Sequence, residues 1–240
     1  MVLTSGSDQR DLWSFRRCRC RVPRPNDARW RAGLTTPLPA WRSFPLRRRL
    51  AQELSAPVAI DNDAKAMALG EAWLGCLRGR RSAMCVTVST GVGSGILLDG
   101  RLLQGADGNA GHIGHTIAAP LGRRCACGAR GCLEAEVSGL ALEARAGHAP
   151  PFPEWLLRSA GELLGRAISS AAALLDLEAV ALGGGVVHAA GASLIAAAEA
   201  EVSRSFRLFH RPLRLEVAQV SPLVGAAALA LGSARVEAAA

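Results

Sequence analysis

Hydrophobic and polar positions change their period several times along this chain, and each change predicts a new element. A helix is predicted over 45–54, a short buried strand over 58–60, and a second helix from Ala64. Residues 84–103 alternate like strands and contain two turns, TGVGSG and Asp99-Gly100, which predicts a meander. The apolar positions of 155–175 recur at helical spacing and predict a core helix.

The last third of the sequence continues the alternation of strands and helices. The stretch AVALGGGVV predicts a buried strand that runs into Gly183, Gly184 and Gly185, followed by the helix-like GASLIAAAEAEVSRSF. A final strand, PLRLEVAQVS, and a final helix, PLVGAAALALGSA, complete the pattern. The chain is therefore predicted to be an α/β protein. A strand, a glycine turn and a helix in succession favour nucleotide binding, although the dinucleotide pattern G-x-G-x-x-G is absent.

Polar residues stand where one of these predicted strands ends, and a glycine-rich turn follows another. Asp61, Asn62 and Asp63 follow the strand at 58–60 and open a helix, and ligands bind at the carboxyl edge of open α/β sheets. Capping of the helix by Asn62 or Asp63 is the competing interpretation. The glycines of TGVGSG either satisfy turn geometry or let backbone N–H groups approach a phosphate.

The net charge of +8 is concentrated at one end, because residues 1–50 carry 12 Arg and three Asp. This arginine-rich segment contains no heptads and no helix-turn-helix pattern, so we expect no specific nucleic-acid partner. No apolar run reaches the roughly 18 residues of a membrane span, and no secretory signal opens the chain. We therefore expect a cytoplasmic protein without a membrane partner, with reduced cysteines.

The stretch GHIGHTIAAPLGRRCACGARGCLEA combines histidines and cysteines with tight-turn glycines. A tetrahedral zinc site needs four such ligands, and the sequence offers His115, Cys125, Cys127 and Cys132. Gly128 and Gly131 allow the chain reversal that brings the cysteines together. With all four positions filled, the zinc would be structural, and free thiols are the alternative.

Several motifs together identify a family. The strings G-N-A-G-H-I-G-H and C-A-C-G-A-R-G-C-L-E-A, with D-N-D-A, V-T-V-S-T-G-V-G-S-G and A-L-G-G-G, resemble the ROK family of bacterial sugar kinases and transcriptional repressors over about residues 34–235. The resemblance implies a two-lobed, actin-like (ribonuclease H-like) α/β fold, with a sugar in the cleft and ATP and magnesium beside it. It places a remnant of the N-terminal lobe at 34–82. The C-terminal lobe, with the zinc loop and the nucleotide-binding glycines, is expected at 83–240.

The resemblance also implies roles for single residues. Asp63 matches the catalytic base and, with Asn62 and Glu134, a group that contacts the sugar. His115 matches a residue that binds zinc and touches the sugar. The positions that match the phosphate-facing turn and the nucleotide site are Thr90, Gly91, Gly93, Gly183, Gly184 and Gly185.

His112 stands where most sugar kinases of this family have Glu. In this respect the chain resembles bacterial kinases that phosphorylate the 6-hydroxyl of N-acetylmannosamine in sialic acid catabolism. An imidazole donates or accepts one hydrogen bond, whereas a carboxylate only accepts, so the exchange is expected to change recognition at C2 of the sugar. Glucose and N-acetylglucosamine are the alternative substrates, and neutral drift at the pocket edge is the alternative cause.

The amino-terminal end departs from the family pattern. Its D-x-G-G-T-K turn, which wraps the ATP phosphates, is absent from residues 1–33, and Cys18 and Cys20 are assigned no metal role. Our hypothesis is that this Arg- and Pro-rich segment is not native family sequence, which leaves the N-terminal lobe incomplete. Two alternatives to an active kinase follow: a non-catalytic sugar-binding regulator and an inactive remnant. The family resemblance also implies a homodimer.

Overall fold

A mixed five-stranded sheet is the centre of the computed structural model, which describes residues 45–190, 192–207 and 212–232. Its spatial order is β3-β2-β1-β4-β5. The strands β1, β2 and β3 form an antiparallel meander, whereas β1, β4 and β5 run parallel. The bounds are Ala83–Val88 (β1), Val92–Leu98 (β2), Arg101–Leu102 (β3), Ala179–Gly183 (β4) and Arg214–Val217 (β5).

Helices cover both faces of this sheet, and alternate residues of β1 show it. Met84 and Val86 belong to one hydrophobic cluster with the helices α5 and α7, while Cys85 belongs to a second cluster with α2 and α8. None of the helices in the described ranges is both long enough and apolar enough to cross a membrane. The helices are α1 (Leu46–Glu53), α2 (Asp63–Leu74), α3 (Leu133–Val137), α4 (Gly139–Ala146), α5 (Glu154–Leu175), α6 (Gly185–Ala190), α7 (Ala192–Ser205) and α8 (Pro222–Ala230).

The structure confirms the predicted meander and the helix at 155–175. It also confirms the two helices on either side of 58–60, at 45–54 and from Ala64. The predicted strand over 58–60 is wrong in extent. Val58 forms a single β-bridge, and Ala59 and Ile60 belong to no strand of the described residues. The atypical segment 1–33 and the beginning of the expected remnant at 34–82 lie outside the described residues.

Helix α2 is buried on every side between the sheet and α8. Residues 64–72 are all buried, which is typical of a helix enclosed in a core. Two glycines allow its backbone to touch that of α8: a Cβ on Gly225 would collide with the carbonyl of Ala66, and one on Gly70 would lie 2.9 Å from the Gly225 nitrogen. The position of α2, whose first turn carries Asp63, is therefore set by backbone contact.

Candidate functional site

The first turn of α2 presents the predicted catalytic carboxylate to solvent. The Asn62 side chain caps the helix by accepting from the Ala64 N–H at 2.9 Å, and Asp63 Oδ1 accepts from the same N–H at 2.8 Å. Capping by Asn62 is thus confirmed. Asp63 remains exposed at the amino-terminal end of the helix.

Two glycine turns lie side by side at the carboxyl edge of the sheet. One follows β1 at residues 89–91 and the other follows β4, whose last residue is Gly183. Because β1 and β4 are parallel neighbours, with Thr87 opposite Gly183, both turns open at the same edge. Gly184 has a φ of +99°, and a Cβ there would collide with the Val88 carbonyl, so this turn requires glycine.

Gly93 lies inside strand β2 and not in the turn before it. A Cβ on Gly93 would sit 3.2 Å from the Cβ of Ala64, and one on Gly95 would sit 2.6 Å from the Cβ of Ala68. These two glycines therefore let α2 lie directly against β2. The only predicted phosphate-turn residues that the turn itself contains are Thr90 and Gly91.

Glu134 binds the opening residues of β2. Its Oε2 accepts from the Val92 N–H at 2.9 Å, and a Cβ on Gly91 would approach that oxygen to 2.7 Å. The carboxylate is partly buried at the start of α3. Val92 is thus hydrogen-bonded to Glu134. The next residue of β2, Gly93, packs against Ala64, which follows Asp63.

The histidine-bearing segment closes on the same part of β2. Ser94 donates to the Gly111 carbonyl from both its N–H, at 2.9 Å, and its hydroxyl, at 2.7 Å. Gly114 packs against the Val92 carbonyl so closely that any side chain would collide with it. Between these two contacts lies His112, whose ring stacks on His115 with a centroid separation of 6.0 Å.

His112 has a defined hydrogen-bonding face. Its Nδ1 lies 2.7 Å from the Asn109 carbonyl oxygen, which can only accept, so Nδ1 carries a proton. The exposed ring therefore offers Nε2 as an acceptor when the imidazole is neutral and as a donor when it is protonated.

The four predicted zinc ligands come together. The ligand atoms of His115, Cys125, Cys127 and Cys132 all lie within 4.8 Å of one another. Two separations are shorter: 3.6 Å between the Sγ atoms of Cys127 and Cys132, and 3.7 Å between Cys125 Sγ and His115 Nδ1. Zn–S bonds of 2.3 Å in a tetrahedron place sulfur atoms about 3.8 Å apart, so the residues fit zinc.

The thiols differ in their pKa values according to their surroundings. Burial and hydrogen bonding to Cys127 raise the pKa of Cys132 to about 12. The Ala129 backbone N–H lowers the pKa of Cys127, whose side chain is exposed. Outside the cluster, burial and the neighbouring Glu71 carboxylate raise the pKa of Cys76 to about 12, and burial raises the pKa of Cys85 well above its usual value.

A carboxylate that the sequence analysis missed holds in place the loop that carries Cys125, Cys127 and Cys132. Glu136 is buried, and its Oε1 accepts from the Arg123 N–H at 2.6 Å, two residues before Cys125. The only sequence signal was an acidic residue inside the apolar stretch LEAEV.

Comparison with known proteins identifies the family of this chain. The profile of the ROK family matches residues 27–233. An N-acetylmannosamine kinase from Escherichia coli is 37% identical over 207 residues, covering 79% of this chain and 70% of the relative. A glucokinase from Halalkalibacterium halodurans is 46% identical over 110 residues, which is 45% of this chain and a third (33%) of the relative.

A solved structure gives the same result for the fold. The ROK family glucokinase from Streptomyces griseus, in complex with glucose and AMPPNP, superposes with a TM-score of 0.69 at 29% identity, over 80% of this chain and 74% of that one. The actin-like α/β fold expected from the resemblance is therefore confirmed. With a family match that spans most of its length, the chain belongs to the ROK family.

Proposed function

We propose that this chain belongs to an ATP-dependent sugar kinase that phosphorylates the 6-hydroxyl of an N-acetylated hexosamine, with N-acetylmannosamine as the substrate. One observation carries the proposal. The first three residues of β2 are Val92, Gly93 and Ser94, and they directly follow the glycine turn at 89–91. They touch the turn of Asp63, the Glu134 carboxylate and the segment of His112.

The reaction forms a bond between the sugar oxygen and the γ-phosphorus and breaks the bond to the bridging oxygen of ADP. Asp63 accepts the hydroxyl proton as that oxygen attacks. Because phosphoryl transfer has a loose transition state, orientation of the hydroxyl by Asp63 contributes as much as removal of its proton.

The glycine turns after β1 and β4 receive the nucleotide. Thr90 and Gly91 offer backbone N–H groups to the phosphates at the end of β1, and Gly183, Gly184 and Gly185 open the neighbouring end of β4 for the rest of ATP. Magnesium bound to ATP supplies the remaining charge neutralisation.

Asn62, Glu134 and the two stacked histidines form the sugar side of the cleft. Glu134 accepts a hydrogen bond from a sugar hydroxyl, while Nε2 of His112 hydrogen-bonds to the substituent at C2 of the sugar. His115, Cys125, Cys127 and Cys132 would hold a structural zinc that fixes the ring of His115 and, through stacking, supports His112.

The test is phosphorylation of N-acetylmannosamine, N-acetylglucosamine and glucose by the full chain with ATP and magnesium, with sugar phosphates measured by mass spectrometry. We expect N-acetylmannosamine 6-phosphate to accumulate fastest, and Asp63→Asn to slow its formation by about 10²–10⁴-fold. Sugar binding without turnover would instead favour the non-catalytic regulator or a remnant that lacks the D-x-G-G-T-K turn.

Glucose phosphorylation is the second candidate, because the glucokinase relative is 46% identical over 110 residues, against 37% over 207 residues for the N-acetylmannosamine kinase. The variant His112→Glu distinguishes the two. If His112 selects the C2 substituent, the variant shifts the kcat/KM ratio toward glucose. An unchanged ratio would mean that His112 does not determine the substrate.

A further inference from the structure

The chain contains 27 arginines and a single lysine, Lys65, which is 1% exposed in the first turns of α2. An ammonium group is strongly hydrated, and its burial is costly unless every proton finds a partner. Burial lowers the pKa of Lys65, and the Asp61 carboxylate opposes that shift. The proposed catalytic step does not use this side chain.

The Lys65 ammonium is hydrogen-bonded to a segment some forty residues further along the chain. Nζ donates to Gln104 Oε1 at 3.0 Å and to the Gly108 carbonyl at 2.6 Å. The Asp61 carboxylate lies 3.7 Å away on the remaining side. These partners bring the charge of Lys65 into contact with both the residue before Asn62 and the loop before His112.

Gln104 closes this network into a ring. Its amide nitrogen donates to Asp61 Oδ2 at 3.0 Å, while its amide oxygen accepts from Lys65. The cation and the anion together fix the orientation of the amide, because only oxygen can accept from an ammonium and only nitrogen can donate to a carboxylate. Each member of the ring therefore depends on the other two.

The loop held by Lys65 leads directly to the histidines. The Ala110 N–H donates to the Gln104 carbonyl at 3.1 Å, so this hydrogen bond closes residues 104–110 into a loop. Asn109, next to Gly108, provides the carbonyl that orients His112. Displacement of Gly108 would be transmitted to the His112 ring through this one residue.

We infer that Lys65 is a positioning residue that holds the loop 104–112 against the first turn of α2 and thereby sets the distance between His112 and Asp63. The inference rests on the proposed function, because it assigns both groups to one sugar site. Lys65 acts through Asp61 and Gly108 and does not itself contact the sugar.

The experiment compares the full wild-type chain with Lys65→Met, which keeps the length of the side chain but removes its charge and donors. Gln104→Met removes the same network at a partly exposed residue of the loop. It replaces Lys65→Met in the test if that variant does not fold. Glu71→Gln is the matched control, since Glu71 is buried on the same helix and its side chain is hydrogen-bonded to Cys76, Gln219 and Val220, which lie outside the loop. Three quantities are measured: hydrogen exchange of residues 104–112, Kd for each of the three sugars, and Kd for ADP.

We expect both ring variants to speed exchange in residues 104–112 and to weaken sugar binding about tenfold to a hundredfold, while the Kd for ADP stays within about twofold. The control is expected to lose stability but to keep its sugar affinity and its loop protection. A purely structural role would be shown by equal losses for sugar and ADP, or by the same sugar loss in Glu71→Gln, and either result overturns the inference.

Unchanged exchange and sugar affinity in both ring variants would also overturn it and would leave the proposed function intact. If the wild-type chain binds none of the three sugars, the proposed function is wrong, and the role of Lys65 in sugar binding falls with it. The exchange measurement then decides separately whether the ring holds the loop.

Discussion

Glu71 provides the sharpest test of how the fold holds its functional helix. Its side chain is fully buried near the carboxyl end of α2. Oε1 accepts from the N–H groups of Gln219 and Val220 at 2.7 and 2.8 Å, and Oε2 accepts from the Cys76 N–H at 2.9 Å and from its thiol. One carboxylate thus joins α2 to the segment that leads into α8.

The substitution Glu71→Gln exchanges one acceptor oxygen for an NH₂ group. With the amide oxygen on the Gln219 side, the NH₂ group faces the Cys76 N–H and leaves it buried without an acceptor, at a cost of about 1–3 kcal/mol. The other two hydrogen bonds lose the contribution of the charge, about 0.5–1 kcal/mol each. The sum is a destabilisation of about 3 kcal/mol, or about 6–12 °C in Tm for a chain of this size.

Urea unfolding followed by tryptophan fluorescence and by circular dichroism measures this change. The control is Glu154→Gln, which removes a 2.9 Å ion pair with Arg158 whose two side chains are about two-thirds exposed, at 68% and 66%. It should change stability by less than about 0.5 kcal/mol. A loss below about 1 kcal/mol in Glu71→Gln would refute the reasoning, because it would mean that water or a shifted backbone replaces these hydrogen bonds.

Further outcomes follow from the site. Asp63→Asn should lower kcat by about 10²–10⁴-fold with little effect on sugar Kd, whereas a loss confined to KM would contradict its role as base. Metal analysis should find one zinc per chain, reduced by Cys127→Ser but retained in Cys76→Ser, and full zinc in both variants would exclude the cluster. After the metal is removed by chelation, iodoacetamide at pH 8 should modify Cys127 before Cys76, and peptide mapping shows the order. The reason is that hydrogen bonding lowers the pKa of Cys127, whereas burial raises the pKa of Cys76. Gly184→Ala should lower the free energy of unfolding by at least about 1–3 kcal/mol and weaken ADP binding. An unchanged free energy of unfolding would show that the turn tolerates a side chain.

The elements that the sequence predicts well are those whose signal is local. The meander of β1, β2 and β3 follows from alternation and from an Asp-Gly turn, and α5 follows from more than five helical turns of apolar spacing. The zinc ligands were also predictable, because three of the four lie within eight residues and their chemistry restricts what they can bind. The strand at 58–60 failed since three apolar residues do not specify a neighbour.

The glycines of TGVGSG show a different limit of local patterns. A turn that binds phosphate and a strand that admits a helix both favour glycine, so the sequence alone could not separate Gly91 from Gly93 and Gly95. Only the packing of α2 shows that the last two make room for Ala64 and Ala68. The same close packing brings the Asp63 turn to the sheet edge, so Gly93, which was predicted to face phosphate, takes part in positioning the carboxylate.

Lys65 and Glu71 escaped prediction because their partners are distant in sequence. Lys65 binds residues 39 and 43 positions away, and Glu71 binds residues 148 and 149 positions away. In sequence they are two charges on a helix, which predicts a solvated face, yet both are buried. A buried charge with all its partners fixes geometry more strictly than apolar contact, since a small shift leaves it unpaired at a cost of several kcal/mol. Helix α2 is thus fixed near one end to the histidine loop and near the other to the approach to α8, and Asp63 stands at the end that Lys65 holds.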